Sequence, residues 1–350
     1  MLKENSEKTI LVSAIQPSGR LHIGNYFGAI HPIVDLINND QHQYESYIFV
    51  ADYHSMTTLY DKNLRNKYIS EIVATYLATG LNPEKVNIFK QSDIPEVTEL
   101  AWILSTVTPV PVLFLSHAFK DKKQEHVENM KDVNVGLFNY PILMAADILI
   151  YGAEIIPVGK DQEQHVEMAR EIANKYNRTY GVQTFQMPQS LIKKEVATVP
   201  GIDGNKMSKS KNNEIPIFLS KEFTLEDLKK QIMKIKTDSF APNEPKKLEN
   251  NLIYQIHKLF LNSDEDKILQ NKFLNSSQQN PYSYKEAKEE LLQTILKYFG
   301  EMNKKYLYFT ETEAGKKELM QVMESGAKKA KQKAQLMMQK IRRETGLDFL

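Results

Sequence analysis

The chain has 350 residues, of which 41% are hydrophobic and 25% charged, and its formal net charge is +1 at pH 7. This composition is that of a folded globular protein of more than one domain and excludes the disordered and membrane-spanning classes. The sequence contains no cysteine, which excludes disulfides, thiolate metal sites, cysteine-bound iron–sulfur clusters and cysteine nucleophiles. Residues 1–9 are polar and resemble neither a secretory signal nor a transit peptide, so we expect a cytoplasmic protein.

The first part of the chain alternates short apolar runs with longer helical patterns. We predict strands at residues 10–15, 47–51, 86–90 and 155–158. Apolar residues at helical spacing predict helices at 68–79, 97–108 and 164–176. Strands that alternate with helices are typical of a parallel sheet covered by helices. The first part is therefore predicted to be an α/β domain.

After about Pro216 the strand-like runs disappear, and the second part is predicted to be all-α. Helical patterns cover residues 224–236, 248–261, 284–299 and 314–343. A Gly- and Lys-rich segment, 201–211, precedes this change and suggests a mobile loop between the two parts. Seven basic and no acidic residues lie between Lys328 and Arg343. This run fits either a phosphate-binding helix face or a solvated helix surface.

A segment directly after the first predicted strand, residues 16–28, combines turn residues with the start of a helix. The unpaired N–H groups at such a helix start form a site for phosphate. Gly24 has no side chain and permits close approach of a nucleotide base or ribose. His22 and Asn25 add side-chain donors on one face of the helix. By itself the segment also fits a simple tight turn with a surface histidine.

A second segment, residues 206–210, reads Lys-Met-Ser-Lys-Ser and shares a loop with Gly201 and Gly204. Two ammonium groups on a flexible loop suit a reaction in which pyrophosphate leaves, because negative charge develops on the leaving group. Taken alone, such a run is also typical of a solvated basic loop.

Together, His-Ile-Gly-Asn after the first strand and Lys-Met-Ser-Lys-Ser downstream resemble the paired signature sequences of class I aminoacyl-tRNA synthetases. Asn25 replaces the commoner second histidine, a form familiar among tryptophanyl-tRNA synthetases. Segments 13–19, 140–149 and 157–165 also resemble that family. The resemblance implies a Rossmann-like, doubly wound parallel sheet in a catalytic domain, 1–215, that includes the signature loop 201–214. It further implies a helical anticodon-binding domain, 216–320, and a C-terminal helix, 321–350, that packs back on the catalytic domain.

The resemblance carries several roles over to matching residues. In the family the first signature binds ATP and the second stabilises the transition state of amino-acid activation, so the implied catalytic residues are His22, Lys206, Lys209 and Lys122. The last of these and Lys120 match a basic pair near the triphosphate, although both also fit ordinary surface lysines. Lys160 departs from the glutamate of many members. The implied ATP-binding residues are Gln16, Pro17, Ser18, Gly24, Asn25, Gly159, Lys160, Asp161, Lys206, Met207, Ser208 and Lys209.

Asp147 lies in an otherwise apolar stretch, where a carboxylate is costly unless it is paired. An indole N–H can supply a donor while Met144 packs against the ring; a helix cap or a buried Lys or Arg partner is the alternative. In the family the matching aspartate accepts the indole N–H, and the residues matching Tyr140 and Gln162 hold the α-amino group. His54 follows the second strand, where ligands of open α/β sheets bind, and matches a pocket-lining position, although it also fits a satisfied structural histidine.

The implied function is that of a tryptophan–tRNA ligase, which joins tryptophan to its tRNA through an adenylate. The implied partners are ATP, L-tryptophan, the tRNA for tryptophan and a second copy of the chain in a homodimer. Mg²⁺ arrives with ATP, and we expect neither a protein-bound metal nor a membrane. A tyrosine hydroxyl could also donate to Asp147, so a tyrosyl-tRNA synthetase stays open, as do a small-molecule nucleotidyltransferase and a tRNA-binding relative without catalysis.

Overall fold

The computed structural model of the chain describes residues 8–39, 44–114, 134–159, 162–192 and 199–348. Its contacts divide the chain into two compact units. Unit 1 comprises Met1–Ser18, Ile33–Lys194 and Glu313–Leu350, and unit 2 comprises Gly19–Pro32 and Glu195–Thr312. This division differs from the domain boundaries predicted at 215 and 320, which stay a prediction. Within the described ranges, no helix has the length and apolar character needed to cross a membrane.

Unit 1 contains a parallel sheet whose strands are β1 (Ile10–Ile15), β2 (Glu45–Val50), β3 (Val86–Lys90), β4 (Ile155–Pro157) and β5 (Gln189–Leu191). The strand order is β3-β2-β1-β4-β5, with every neighbouring pair parallel. The predicted α/β fold with a doubly wound sheet is therefore confirmed. The chain winds in opposite directions on the two sides of β1, and ligands of such sheets bind at the carboxyl ends of the strands beside this reversal.

Four of the five strands were predicted to within two residues because their apolar runs are continuous. β2, for example, is buried at every position after Glu45, as expected for a strand covered on both faces. The prediction missed β5. Its three residues, Gln-Ser-Leu, are only partly buried at the edge of the sheet, so they carry no apolar signal.

Helices connect the strands and form most of unit 2. In chain order they are α1 (Ile23–Asn25), α2 (His31–Asn39), α3 (Asp52–Ser55), α4 (Lys62–Ala78), α5 (Glu96–Val107), α6 (Val110–Leu113), α7 (Val135–Leu149), α8 (Glu163–Tyr180), α9 (Leu225–Met233), α10 (Leu252–His257), α11 (Ser263–Leu274), α12 (Tyr284–Glu311) and α13 (Glu313–Thr345). A π-helical turn, Tyr26–Ile30, joins α1 to α2, and short 3₁₀ turns lie at Gln91–Asp93, Lys209–Lys211 and Lys258–Phe260.

The prediction named no helix at α7 or α11 and ended α12 too early. Only Leu269 and Phe273 of α11 are buried, which leaves too few apolar positions for a clear helical period. A local signal was nevertheless present, because Asn262 and Glu265 form a capping box at its start. The predicted helix 284–299 continues to Glu311.

Helix α13 belongs to unit 1, where its buried face packs against β3. Small residues recur at every fourth position on this face, at Gly326, Ala330 and Ala334. A Cβ atom on Gly326 would lie 2.2 Å from the carbonyl oxygen of Ile88 and 2.6 Å from its nitrogen. Glycine at this position therefore allows the helix backbone to approach the strand.

We expect Gly326→Ala to lower the free energy of unfolding by about 3 kcal/mol, because the added methyl group collides with strand backbone that cannot move away cheaply. Gly300→Ala is the matched control. Gly300 also lies inside a helix, but a Cβ atom added to it would meet no described atom within 4 Å outside its own stretch of helix. That substitution should stabilise the protein by about 0.5–1 kcal/mol. Urea unfolding of both variants measures the difference, and equal effects would contradict the close helix–strand contact.

Candidate active site

Polar side chains collect at the carboxyl ends of β1, β2 and β3 in unit 1. Gln16 follows β1 directly, His54 lies in α3 after β2, and Gln91 follows β3. The Nε2 atom of Gln16 donates to the carbonyl oxygen of His54 at 3.4 Å. Gln16 and His54, both predicted as site residues, therefore lie at the edge of the sheet where such folds bind ligands.

Asp147 lies in α7 with 3% of its surface exposed. Its Oδ2 atom is 2.9 Å from Nε2 of His54, and Nε2 of Gln91 lies 2.9 Å from both carboxylate oxygens. Its partners are therefore a histidine and an amide, and neither the helix cap nor the Lys or Arg partner considered from the sequence is found among the described contacts.

Gln91 can donate to Asp147 in only one orientation. Its Oε1 atom accepts the backbone N–H groups of Tyr53 at 3.0 Å and His54 at 3.4 Å, so its NH₂ group must face the carboxylate. Burial raises the pKa of Asp147, and the hydrogen bonds from His54 and Gln91 oppose that rise because they favour the charged form. The amide and the imidazole thus present Asp147 as an acceptor.

Tyr140, Met144 and Asp147 occupy positions i, i+4 and i+7 of α7 and so share one helix face. The hydroxyl of Tyr140 lies 2.6 Å from Nε2 of His165, whose Nδ1 lies 2.9 Å from Oε1 of Gln162. Because an amide oxygen only accepts, Nδ1 of His165 carries a proton, and in the neutral form of the ring Nε2 then accepts the hydrogen bond of the phenol. The phenol oxygen of Tyr140 is thereby oriented to accept in any further contact.

The first signature segment continues into unit 2, where His22 caps α1. Its Nδ1 atom accepts the N–H of Asn25 at 3.3 Å, and Oδ1 of Asn25 accepts the N–H of His22 at 3.1 Å. The amide oxygen at position 25 therefore serves the local turn. A Cβ atom on Gly24 would lie 3.0 Å from the ring of His22 and 3.5 Å from Cβ of Met207, so glycine permits the histidine to lie against the backbone.

His22 is neutral at physiological pH. Burial, and secondarily the positive charge of Lys209, lower its pKa to about 4. Since Nδ1 accepts a backbone N–H, the neutral ring carries its proton on Nε2. The side chain can thus donate one hydrogen bond to a ligand without adding a positive charge.

The second signature segment meets the first within unit 2. Nζ of Lys209 donates to the carbonyl oxygen of Gly19 at 2.7 Å. Gly19 has a φ of +127°, and a Cβ atom there would lie 3.2 Å from Cδ of Lys209, so only glycine suits both the backbone and the contact. Met207 is buried, and Oγ of Ser208 lies 2.9 Å from Oγ of Ser210.

Four residues singled out from the sequence, Lys120, Lys122, Lys160 and Asp161, lie outside the described part of the chain. Gly159 follows β4, and its carbonyl oxygen accepts the N–H of Gln162 at 2.9 Å. Among the described predicted residues of unit 1, Gln16, His54 and Asp147 form one hydrogen-bonded group, and Tyr140, Gln162 and Gly159 form another through His165 and the backbone.

Sequence analysis missed Gln91, His165 and Asn213, which contact predicted site residues directly. Gln91 could have been found, because it follows a predicted strand at the same edge of the sheet as His54. His165 lies in the segment 157–165 that was singled out, but nothing local distinguishes it. Asn213 lies within the signature loop 201–214 but beyond the Lys-Met-Ser-Lys-Ser segment, and it carries no local signal of its contacts.

A direct test of this geometry is the titration of His22. We expect its pKa to be about 4 by NMR, with the neutral ring protonated on Nε2. In the unfolded chain histidine titrates near 6.5, so the buried neutral ring stabilises the fold above that pH, and this contribution is lost as the pH falls from about 6.5 to about 4. Lys209→Met should raise the pKa only part of the way, because burial is the larger cause. An ordinary pKa in the intact protein would contradict the burial.

Comparisons with known proteins identify the family of the chain. The family model described as tRNA synthetases class I (W and Y) matches residues 3–300. The chain is 47% identical over 320 residues to the tryptophan–tRNA ligase of Fusobacterium nucleatum, covering 91% of this chain and 92% of that protein. It is 42% identical over 337 residues to the Campylobacter jejuni tryptophan–tRNA ligase, covering 96% and 99%.

Solved structures are similar to the chain over nearly its whole length. The crystal structure of tryptophanyl-tRNA synthetase from C. jejuni complexed with ADP and tryptophan superposes with a TM-score of 0.84 at 41% identity, covering 97% of this chain and 100% of that one. The enzyme from Mycoplasma pneumoniae gives a TM-score of 0.77 at 26% identity, covering 98% and 99%. The chain therefore belongs to the class I tRNA synthetases for tryptophan and tyrosine, and its function is that of a tryptophan–tRNA ligase.

Proposed function

We propose that Asp147 recognises the indole N–H of tryptophan and that the two signature segments bind ATP and promote formation of tryptophanyl-adenylate. The observation that carries this proposal is the buried carboxylate of Asp147, which accepts from both His54 and Gln91. A carboxylate offers about four lone-pair sites. Two of them lie on Oδ1, to which Gln91 alone donates among the described contacts, so this oxygen can accept one further N–H.

The α-amino group of tryptophan is assigned to Tyr140 and Gln162. An ammonium group only donates, and the phenol oxygen of Tyr140 is oriented to accept because its proton is directed at His165. Met144 shares the helix face of Tyr140 and Asp147 and supplies an apolar, polarisable contact for the indole ring. An amino acid that lacks a side-chain donor would leave the lone pair of Asp147 without a partner, which is costly in a buried site.

ATP is assigned to the residues of the signatures and of the turns after β1 and β4, including Lys122, Lys160 and Asp161. A carboxylate oxygen of tryptophan attacks the α-phosphorus, the bond to the β-phosphate oxygen breaks, and pyrophosphate leaves. Lys206 and Lys209 neutralise negative charge on the departing phosphates. Nε2 of His22 donates a hydrogen bond to ATP, and the neutral ring adds no positive charge. The terminal ribose hydroxyl of tRNA then attacks the adenylate carbonyl, and AMP leaves. We assign no general base or protein nucleophile.

Mg²⁺ is proposed to arrive bound to the phosphates of ATP, where it would neutralise part of their charge. Within the described ranges, no group of three or more His, Asp or Glu side chains is placed to hold a metal ion. The donors near the signatures are ammonium and imidazole N–H groups, which suit phosphate oxygens and not a cation. We therefore assign the ion no protein ligand.

A homodimer and a cytoplasmic location are part of the same proposal. Several large side chains of unit 1 are exposed, among them Tyr60 at 76%, Trp102 at 73% and Val135 at 72%, which favours an interface with a second copy. Trp102 is the single tryptophan and would report its burial as a blue-shifted emission on association. A sedimentation experiment in which the protein stays monomeric at every concentration would contradict the dimer.

The helices between residues 216 and 320 are proposed to bind the anticodon region of the tRNA. Replacement of the anticodon should then weaken aminoacylation without changing tRNA-independent activation. Equal aminoacylation of tRNA with a foreign anticodon would contradict this assignment.

The experiment that tests the proposed activity is amino-acid-dependent exchange of pyrophosphate into ATP, measured with each of the twenty standard amino acids. We expect exchange with tryptophan alone. Exchange with tyrosine at a comparable rate would contradict the proposed selectivity of the pocket, and no exchange with any amino acid would contradict the activation step.

A further inference from the structure

We propose that Asn213 is a positioning residue for the second signature segment, which it holds in the shape that activation requires. This inference rests on the proposed roles of Lys206 and Lys209. Asn213 lies three residues beyond Ser210, has 1% of its surface exposed and is not part of the signature itself. A buried carboxamide needs several hydrogen-bond partners. All the partners of this side chain that the structure describes belong to the signature loop.

The side chain of Asn213 joins both sides of the signature loop. Its Oδ1 atom accepts the N–H of Ser208 at 2.8 Å. Its Nδ2 atom donates to Oδ1 of Asp203 at 2.7 Å and to the carbonyl oxygen of Lys206 at 3.2 Å. The carboxamide therefore brackets residues 206–208 and ties them to the turn that precedes them.

The backbone around Asn213 is shaped for these contacts. Asn212 adopts a left-handed conformation with a φ of +50°, which asparagine tolerates better than most residues and which turns the chain back beneath the loop. The carbonyl oxygen of Asn213 accepts the N–H of Ile202 at 3.0 Å. A Cβ atom on Gly201 would lie 2.4 Å from Nδ2 of Asn213, so glycine at 201 makes room for the carboxamide.

Only an asparagine serves these three partners at once. The N–H of Ser208 needs the side-chain oxygen as its acceptor, and Asp203 and the carbonyl of Lys206 need the side-chain nitrogen as their donor. The amide therefore cannot be flipped or replaced by a carboxylate. Asp203 is held in its charged form, since hydrogen bonds from Asn205 and Asn213 lower its pKa to about 2. Without the amide, the backbone at Lys206 and Ser208 would lose its fixed position, and the two lysines would meet the phosphates less often in the required geometry.

A double-mutant cycle between Asn213 and Lys209 tests this inference by pyrophosphate exchange. We expect Asn213→Ala to lower kcat by about 30-fold and to change the KM for tryptophan by less than about twofold. In a Lys209→Ala background the same substitution should lower kcat by less than about threefold, because a residue that acts through Lys209 loses its effect when Lys209 is absent.

Asn177→Ala is the matched control for a general structural effect. Asn177 is also a buried asparagine with three hydrogen bonds to a loop, to the backbone of Thr184 and Phe185 in unit 1. It should lower the thermal midpoint as much as Asn213→Ala does while leaving kcat within about twofold of the intact enzyme.

If Asn213→Ala does not fold, Asn213→Asp answers the same question, because it keeps the shape and places two carboxylates together. It should lower kcat by about tenfold or more, and Asp203→Asn added to it should recover part of that loss by restoring one donor–acceptor pair; the carbonyl oxygen of Lys206 still faces a carboxylate in the exchanged pair. Normal kcat in Lys209→Ala would overturn the proposed function. Two results would overturn the present inference alone. In the first, Lys209→Ala lowers kcat strongly, but Asn213→Ala lowers it by the same factor with and without Lys209. In the second, Asp203→Asn restores no activity to Asn213→Asp.

Discussion

Asp147→Ala is expected to lower kcat/KM for tryptophan by about 10³-fold, a loss of ~4 kcal/mol of transition-state stabilisation. The substitution removes the proposed acceptor of the indole N–H and leaves the donors of Gln91 and His54 without their partner. Pyrophosphate exchange at a range of tryptophan concentrations measures the effect.

The informative control uses an analogue of tryptophan in which sulfur replaces the indole N–H. The intact enzyme should reject this analogue by about 10⁴-fold, the order of discrimination reached by sites built around a substrate donor. In Asp147→Ala that ratio should fall to about tenfold, since neither substrate then meets an acceptor. An unchanged ratio would contradict recognition by Asp147, because a purely structural defect lowers the rates with both substrates equally.

Gln91→Leu should give an intermediate result. The carboxylate stays, but it loses the amide that contacts both of its oxygens, so its orientation and ionisation are less fixed. We expect a loss of about tenfold in the discrimination ratio. A ratio equal to that of the intact enzyme would show that His54 alone suffices to orient Asp147.

Lys209→Ala is expected to lower kcat for activation by about 10²- to 10³-fold, because the lysine is proposed to meet charge that develops on the leaving pyrophosphate. Tryptophan binding, measured by equilibrium dialysis, should change by less than about twofold. The matched control is Lys211→Ala, which removes an exposed lysine from the same 3₁₀ turn and should leave kcat within about twofold. An equal loss in tryptophan binding would show that Lys209 acts in the ground state instead.

The comparison of sequence and structure is clearest at Asp147. An acidic residue in an apolar stretch indicated a buried carboxylate that needs a donor, and the structure shows that Asp147 is buried and hydrogen-bonded. The sequence did not reveal the identity of its protein partners. His54 lies 93 residues away and Gln91 lies 56 residues away along the chain. They meet Asp147 only because the order of strands in the sheet brings together the carboxyl ends of β2 and β3, which these two residues follow.

The same contrast holds for the signature segments. Their residue types suggested phosphate chemistry but also fitted a tight turn and a solvated basic loop, and only the resemblance of the pair to the family signatures separated these interpretations. The contact of Lys209 with Gly19, 190 residues apart, and the hydrogen bonds of Asn213 within the loop have no counterpart in any local pattern.

The sequence by itself determined the parallel α/β fold, four of the five strands, the two signature segments and the family, because continuous apolar runs, helical spacing and short motifs are local properties. The tertiary structure alone decided that α13 packs on β3 through Gly326, that β5 closes one edge of the sheet, and that Gln91 and His54 present Asp147 as an acceptor. These features depend on side chains and backbones that meet across long separations in the chain. Their energies arise from hydrogen bonds and close packing between elements, and such contacts exist only once the sheet and its helices have assembled.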